Sequence, residues 1–241
     1  FPIPGILPMK ILAIGDSWMD YSEMLLTGGG IPDHLSRILG LPIQNIAHHG
    51  DGSEVTLSLR KRMEIENHLP ADIILVSMGG DDIAGDQFCL WLQDNHGQGA
   101  AGAVSQPRLT AALDLIMANF QDLEEIRNDF APNALIVTHE YDLPPASVLG
   151  QGVCGLGPWL KPSLEFCGWL DQNDQQAIVA AVLRAFAQRM RALHLSNWLH
   201  VQTQGTLLPE DWGNEIHPNR SGFTKIAQKF ADALKPYLPN A

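Results

Sequence analysis

Met9-Lys10-Ile11-Leu12-Ala13-Ile14-Gly15-Asp16-Ser17-Trp18 decides the fold. Ile11 to Ile14 is an apolar run too short for a helix and without polar alternation, so it reads as a strand covered on both faces. Gly15 then lets the chain turn, and Asp16-Ser17 sits where a strand hands over to a helix. Similar runs recur at Ile43 to Ala47, Ile73 to Ser77, Leu135 to Thr138 and Leu199 to Gln202. Helical stripes lie between and after them: Leu109, Leu113, Ile116, Phe120 and Leu123; Ile178, Val182, Phe186 and Leu193; Phe223, Ile226, Phe230 and Leu234. Strands alternating with long amphipathic helices are repeated βα units. The expectation is a three-layer α/β/α sandwich with a five-stranded parallel sheet of flavodoxin-like type, whose ligands bind outside the carboxyl ends of the strands.

No repeat or composition shift marks a boundary, so residues 9 to 241 read as one domain, and residues 1 to 8 as an appended or processed end. Two connections exceed the usual length: Gly97 to Pro107, rich in Gly and Ala, and Glu140 to Asn173, which carries Trp159, Phe166 and Trp169. Both are expected to border the site, with the aromatic residues packing their own connection. A net charge of -12 over 241 residues, with no basic cluster larger than Arg60-Lys61-Arg62, argues against nucleic acid. No apolar run approaches the roughly 20 residues that span a bilayer. The start lacks the pattern of a signal peptide, so a soluble, cytoplasmic chain is favoured over a secreted one. Three cysteines without CxxC spacing supply neither a disulfide framework nor a zinc cage.

Four polar blocks follow the predicted strands. Gly15-Asp16-Ser17-Trp18 offers a hydroxyl that is either a nucleophile or a helix cap, and taken alone the cap is the commoner role. Asn45 to Ser53 includes Gly50, and Met78-Gly79-Gly80-Asp81-Asp82 closes the third strand. Asn214-Glu215-Ile216-His217-Pro218 precedes the last helix and carries a candidate general base, His217.

In this order the blocks resemble the SGNH hydrolases, also called GDSL esterases, over the chain from Met9 to the final helix. That family has Gly-Asp-Ser-Leu after the first strand, a glycine after the second, Gly-x-Asn-Asp after the third and Asp-x-x-His-Pro near the carboxyl end. The resemblance implies Ser17 as nucleophile, His217 as base, and the amides of Ser17 and Gly50 as oxyanion donors. It implies two-step acyl transfer on an ester, thioester or O-acetyl group, with no metal or cofactor. The substrate would be a small-molecule ester or an acylated carbohydrate.

Two residues depart from the pattern. Asp81 stands where the family has a donating asparagine, and an ionised carboxylate cannot donate; Asp81 is therefore either neutral in a low-dielectric pocket or employed elsewhere. Asn214 stands where an aspartate normally orients the histidine, which leaves a Ser17-His217 dyad assisted by an amide. Trp18 replaces the family's leucine and is expected to narrow the pocket toward small acyl groups. Two alternatives remain open: a catalytically weakened binding protein, and a metal-dependent phosphoesterase using His48, His49, Asp16, Asp51, Asp81 and Asp82. The Asp-x-His usual after the first strand of such metalloenzymes is missing. His68, His194 and His200 are expected at helix ends or on the surface.

Overall fold

The computed structural model describes residues 9–21 and 27–238; the expectation for residues 1 to 8 lies outside them. Five strands, β1 (Ile11–Gly15), β2 (Ile43–Asn45), β3 (Ile73–Ser77), β4 (Leu135–His139) and β5 (Trp198–Val201), pair in the order β2-β1-β3-β4-β5. Every pairing is parallel. This is the flavodoxin-like order, and its reversal point lies between β1 and β3, whose carboxyl ends carry Ser17 and Asp81. β1, β3 and β4 are buried on both faces, whereas the edge strands β2 and β5 are only partly covered.

The helices are α1 (Ile31–Leu39), α2 (Ser53–Thr56), α3 (Leu59–His68), α4 (Gly80–Ile83), α5 (Gln106–Phe130), α6 (Lys161–Phe166), α7 (Gln172–Ala192) and α8 (Arg220–Leu234). α1 and α8 pack on each other, while α5 contacts α2, α3, α4 and α7, giving helical layers on either side of the sheet. The long helices begin where their sequences cap them. The Asp171 carboxylate accepts from the amides of Asn173 and Asp174, and the Asn219 side chain from those of Ser221 and Gly222. All of the sequence-predicted stripe residues are buried, with Leu193 just past the end of α7.

Boundaries moved where side chains compete with the ladder. β2 ends at Asn45, two residues short of the expected Ala47; there the Asn45 side chain donates to the Met19 carbonyl (2.9 Å) and accepts from the Ala47 amide (3.1 Å), while single backbone bonds from Ile46 and His48 still reach β1. β5 starts one residue early because the Trp198 indole donates to Thr138 Oγ1 on β4 (2.9 Å). His200 corrects the surface assignment: it lies in β5, its Nδ1 is 3.1 Å from Thr138 Oγ1, and its Nε2 is 3.2 Å from buried Glu140.

Candidate active site

At the exit of β1, Gly15 has φ +118°, and a Cβ there would fall 1.7 Å from the Ser77 carbonyl oxygen. Only glycine permits this approach, and the Asp16 amide then donates to that same carbonyl (2.9 Å). Asp16 is fully buried and organises the turn. Its carboxyl accepts from the Trp18 amide (3.0 Å), the Ser77 hydroxyl (2.6 Å) and the Tyr141 hydroxyl. Burial pushes its pKa up to about 6, against the opposing pull of those hydrogen bonds.

The turn presents Ser17 to His217, whose Nε2 lies 2.8 Å from Ser17 Oγ across 200 positions of sequence. On the far side of the ring, Nδ1 is 3.1 Å from Asn214 Oδ1. That oxygen also accepts from the amides of Ile216 (3.0 Å) and His217 (2.9 Å), so the Asn214 carbonyl, not its NH2, must face the ring. Nδ1 therefore carries the proton, and the Nε2 lone pair is free to accept from Ser17. Ser17, Asn214 and His217 are all buried. Burial first, and then the nearby charge of His49, lower the His217 pKa to about 3.

Asp81 lines the same cavity as Ser17, at the mouth of β3. Burial is the main cause that raises its pKa to about 8, followed by the charges of Asp16, Asp82 and Asp51. Among the described residues its carboxyl makes no hydrogen bond. Asp82 points the other way, toward the loop after β2, accepting from the amide (2.7 Å) and hydroxyl (2.5 Å) of Ser53. Gly50 sits on that loop at φ +83°, solvent-exposed. Among the described residues, neither the Gly50 nor the Ser17 amide is donated to another group.

The cavity beside Ser17 is almost wholly apolar, walled by Trp18, Ile83, Phe88, Leu160, Val182 and Trp212, with about 50 Å³ of free space. Trp18 is held by its indole N–H on the Ile216 carbonyl (3.0 Å) and by stacking on His139. The Glu140 to Asn173 connection borders the cavity as expected, through Tyr141, Asp142, Pro144 and Leu160. Its aromatic residues divide. Trp169 is fully buried, Phe166 is exposed, and Trp159 meets His217 edge-on with 5.5 Å between centroids.

Sequence reasoning missed Tyr21 and the task of Glu215, whose spacing excludes it as the partner of His217. Tyr21 lies four residues after Ser17 and packs its ring 4.3 Å from that of His217. Glu215, fully buried, turns away from His217 and accepts from the backbone amides of Gly150 (2.7 Å), Trp159 and Leu160 (2.5 Å). The signal available for Glu215 was a carboxylate beside an apolar residue with no cation at helical spacing, which asks for amide donors. The residues weighed for metal are dispersed: His48 Nδ1 pairs with Asp51 (3.2 Å), His49 Nδ1 turns to Asp20 (3.0 Å), Asp16 holds Ser77, and Asp82 holds Ser53. Among the described residues no three His, Cys, Asp or Glu side chains converge as a metal site.

The family model of GDSL-like lipases and acylhydrolases matches residues 13–225. The chain belongs to this family. As a GDSL-like acylhydrolase it is a carboxylic ester hydrolase of the serine-hydrolase type. Among solved structures it is similar to a lipase from a goat rumen metagenome (TM-score 0.58, 14% identity, covering 93% of this chain and 97% of that one). An extracellular lipase from Streptomyces rimosus (TM-score 0.54, 16% identity, 95% and 100% covered) and a carbohydrate esterase family 3 protein from Talaromyces cellulolyticus (TM-score 0.53, 13% identity, 95% and 97% covered) share the fold. No curated protein matches the sequence. Among the described residues, no helix of this GDSL-like protein is long and apolar enough to cross a membrane.

Proposed function

We propose that the chain hydrolyses esters of small apolar acyl groups by two-step acyl transfer, with Ser17 as nucleophile, His217 as base and Asn214 as the group that holds its tautomer. The observation that carries this reading is the 2.8 Å contact between His217 Nε2 and Ser17 Oγ with Nδ1 engaged on an amide oxygen. His217 takes the Ser17 proton as Oγ attacks the acyl carbonyl, and returns it to the departing alkoxide. Water, activated by the same nitrogen, then releases the acid. The amides of Ser17 and Gly50 and the neutral carboxylic acid of Asp81 donate to the oxyanion. Asp81 can do so only while protonated, a state favoured by its burial among three other carboxyls.

The acyl group enters the apolar cavity. Its free space of about 50 Å³ admits only a few water-sized groups. This favours acetyl to butyryl groups, while the alcohol, a simple one or a sugar hydroxyl, lies toward solvent. The test is a series of 4-nitrophenyl esters of increasing acyl length with wild type and Ser17→Ala. Activity should peak at four carbons or fewer and vanish in the variant, and a serine-directed fluorophosphonate should label only the parent. A folded Ser17→Ala protein hydrolysing at the parental rate removes the mechanism; an octanoyl optimum removes the substrate reading.

A further inference from the structure

We propose that Tyr21 is a positioning residue that makes good the charge missing at Asn214. The inference rests on the Ser17-His217 reading above and adds to it. Acyl transfer creates an imidazolium at His217, and among the described residues no carboxylate hydrogen-bonds to that ring; the amide oxygen of Asn214 supplies a dipole and no charge. Two features of Tyr21 address this. Its hydroxyl oxygen accepts from Asn214 Nδ2 at 3.1 Å, the one hydrogen bond that this NH2 makes among the described residues, while Oδ1 takes three contacts. Asn214 is 1% exposed, so without Tyr21 this N–H would be stranded away from water. A hydrogen bond at the NH2 end also polarises the amide and makes Oδ1 a stronger acceptor for Nδ1–H.

The second feature is the ring. Its centroid is 4.3 Å from that of His217 at a tilt of 42°, inside the roughly 6 Å range at which an aromatic ring attracts a cation. Phe223 on α8, with its centroid 5.4 Å from that of Tyr21, backs the ring. Tyr21 leaves β1 in the same connection as Ser17, so the turn that presents the nucleophile also places the aromatic ring on the base. The contact gains strength only when the imidazole becomes charged, which is the condition for lowering the barrier rather than tightening substrate binding.

The test is a double-mutant cycle on a short-chain 4-nitrophenyl ester with wild type, Tyr21→Phe, Asn214→Asp and the double variant, alongside Ser17→Ala. Tyr21→Phe keeps the ring and should lower kcat about tenfold with KM changed less than about threefold. Asn214→Asp should move the acid limb of the pH profile upward by at least about one unit, because a carboxylate stabilises the imidazolium. In that background Tyr21→Phe should cost less than about threefold, since the carboxylate carries its own charge and no buried donor is stranded. Equal losses in both backgrounds, or an unchanged kcat in Tyr21→Phe, overturn the proposal. Thermal melting of each variant identifies any that fails to fold, and Tyr21→Leu, expected to lose more activity than Tyr21→Phe, provides a second measure of the ring. Should Ser17→Ala stay active, the site reading itself fails. Should Ser17→Ala be dead while the cycle is additive, only the role of Tyr21 fails.

Discussion

Asp81→Asn tests the oxyanion role proposed for Asp81 against the asparagine usual at this position in the family. With a pKa of about 8, the Asp81 carboxyl is neutral at pH 6 and mostly ionised at pH 9. Losing one oxyanion donor typically slows catalysis by about 10²–10³. Wild-type kcat should therefore fall about tenfold for each pH unit above 8, toward a floor about 10²–10³ below its plateau. Asparagine donates at every pH, so the variant should match the parent within about threefold at pH 6 and exceed it about tenfold at pH 9. Initial rates on a short-chain 4-nitrophenyl ester, corrected for alkaline hydrolysis with Ser17→Ala as the blank, measure both curves. A variant-to-parent ratio independent of pH would refute the donating role, and so would a folded variant that is dead throughout.

Stability should respond to the same carboxyl. Asp81 holds a proton in the folded chain that the unfolded chain, with a pKa near 3.8, has already released, so raising the pH favours unfolding until about pH 8. His217 and His139, both lowered by burial, act with the opposite sign, but only below pH 6.5. Calorimetry should therefore show stability falling by about 1–2 kcal/mol between pH 6.5 and 8, a slope that Asp81→Asn should flatten. Leu160→Ala, which opens the wall of the cavity, should cost about 2–5 kcal/mol and move the preferred acyl chain to longer esters, read from the same ester series. Glu215→Gln should destabilise by about 2–3 kcal/mol and lower kcat/KM, because an amide cannot accept from every N–H that the carboxylate gathers.

The sheet was legible because β1, β3 and β4 are buried on both faces and leave unbroken apolar runs, and because each helical stripe keeps its period. The edges were less so: β2 and β5 are only partly covered, so their ends carry polar residues such as Asn45, whose side-chain hydrogen bonds periodicity does not report. Ser17, Asn214 and His217 were readable as residues in ordered blocks, but the orientation of the Asn214 amide was not. It depends on two backbone N–H groups whose directions exist only once the loop is folded. Tyr21 escaped notice for a related reason. Its partner is 193 positions away, and an aromatic residue after a strand ordinarily reads as packing. Glu215 was set aside by its spacing, correctly as regards His217, while its four amide partners on residues 150 to 161 lay beyond local inspection.

That Glu215 clamp has an engineering consequence. The carboxylate sits two residues from His217 and grips the segment bearing Trp159 and Leu160, so the cavity wall and the proton-transfer apparatus are riveted to a single bracket. Remodelling residues 150 to 161 for bulkier substrates would tug on the imidazole as well, and selectivity and turnover should drift together unless the rivet is rebuilt in the same step.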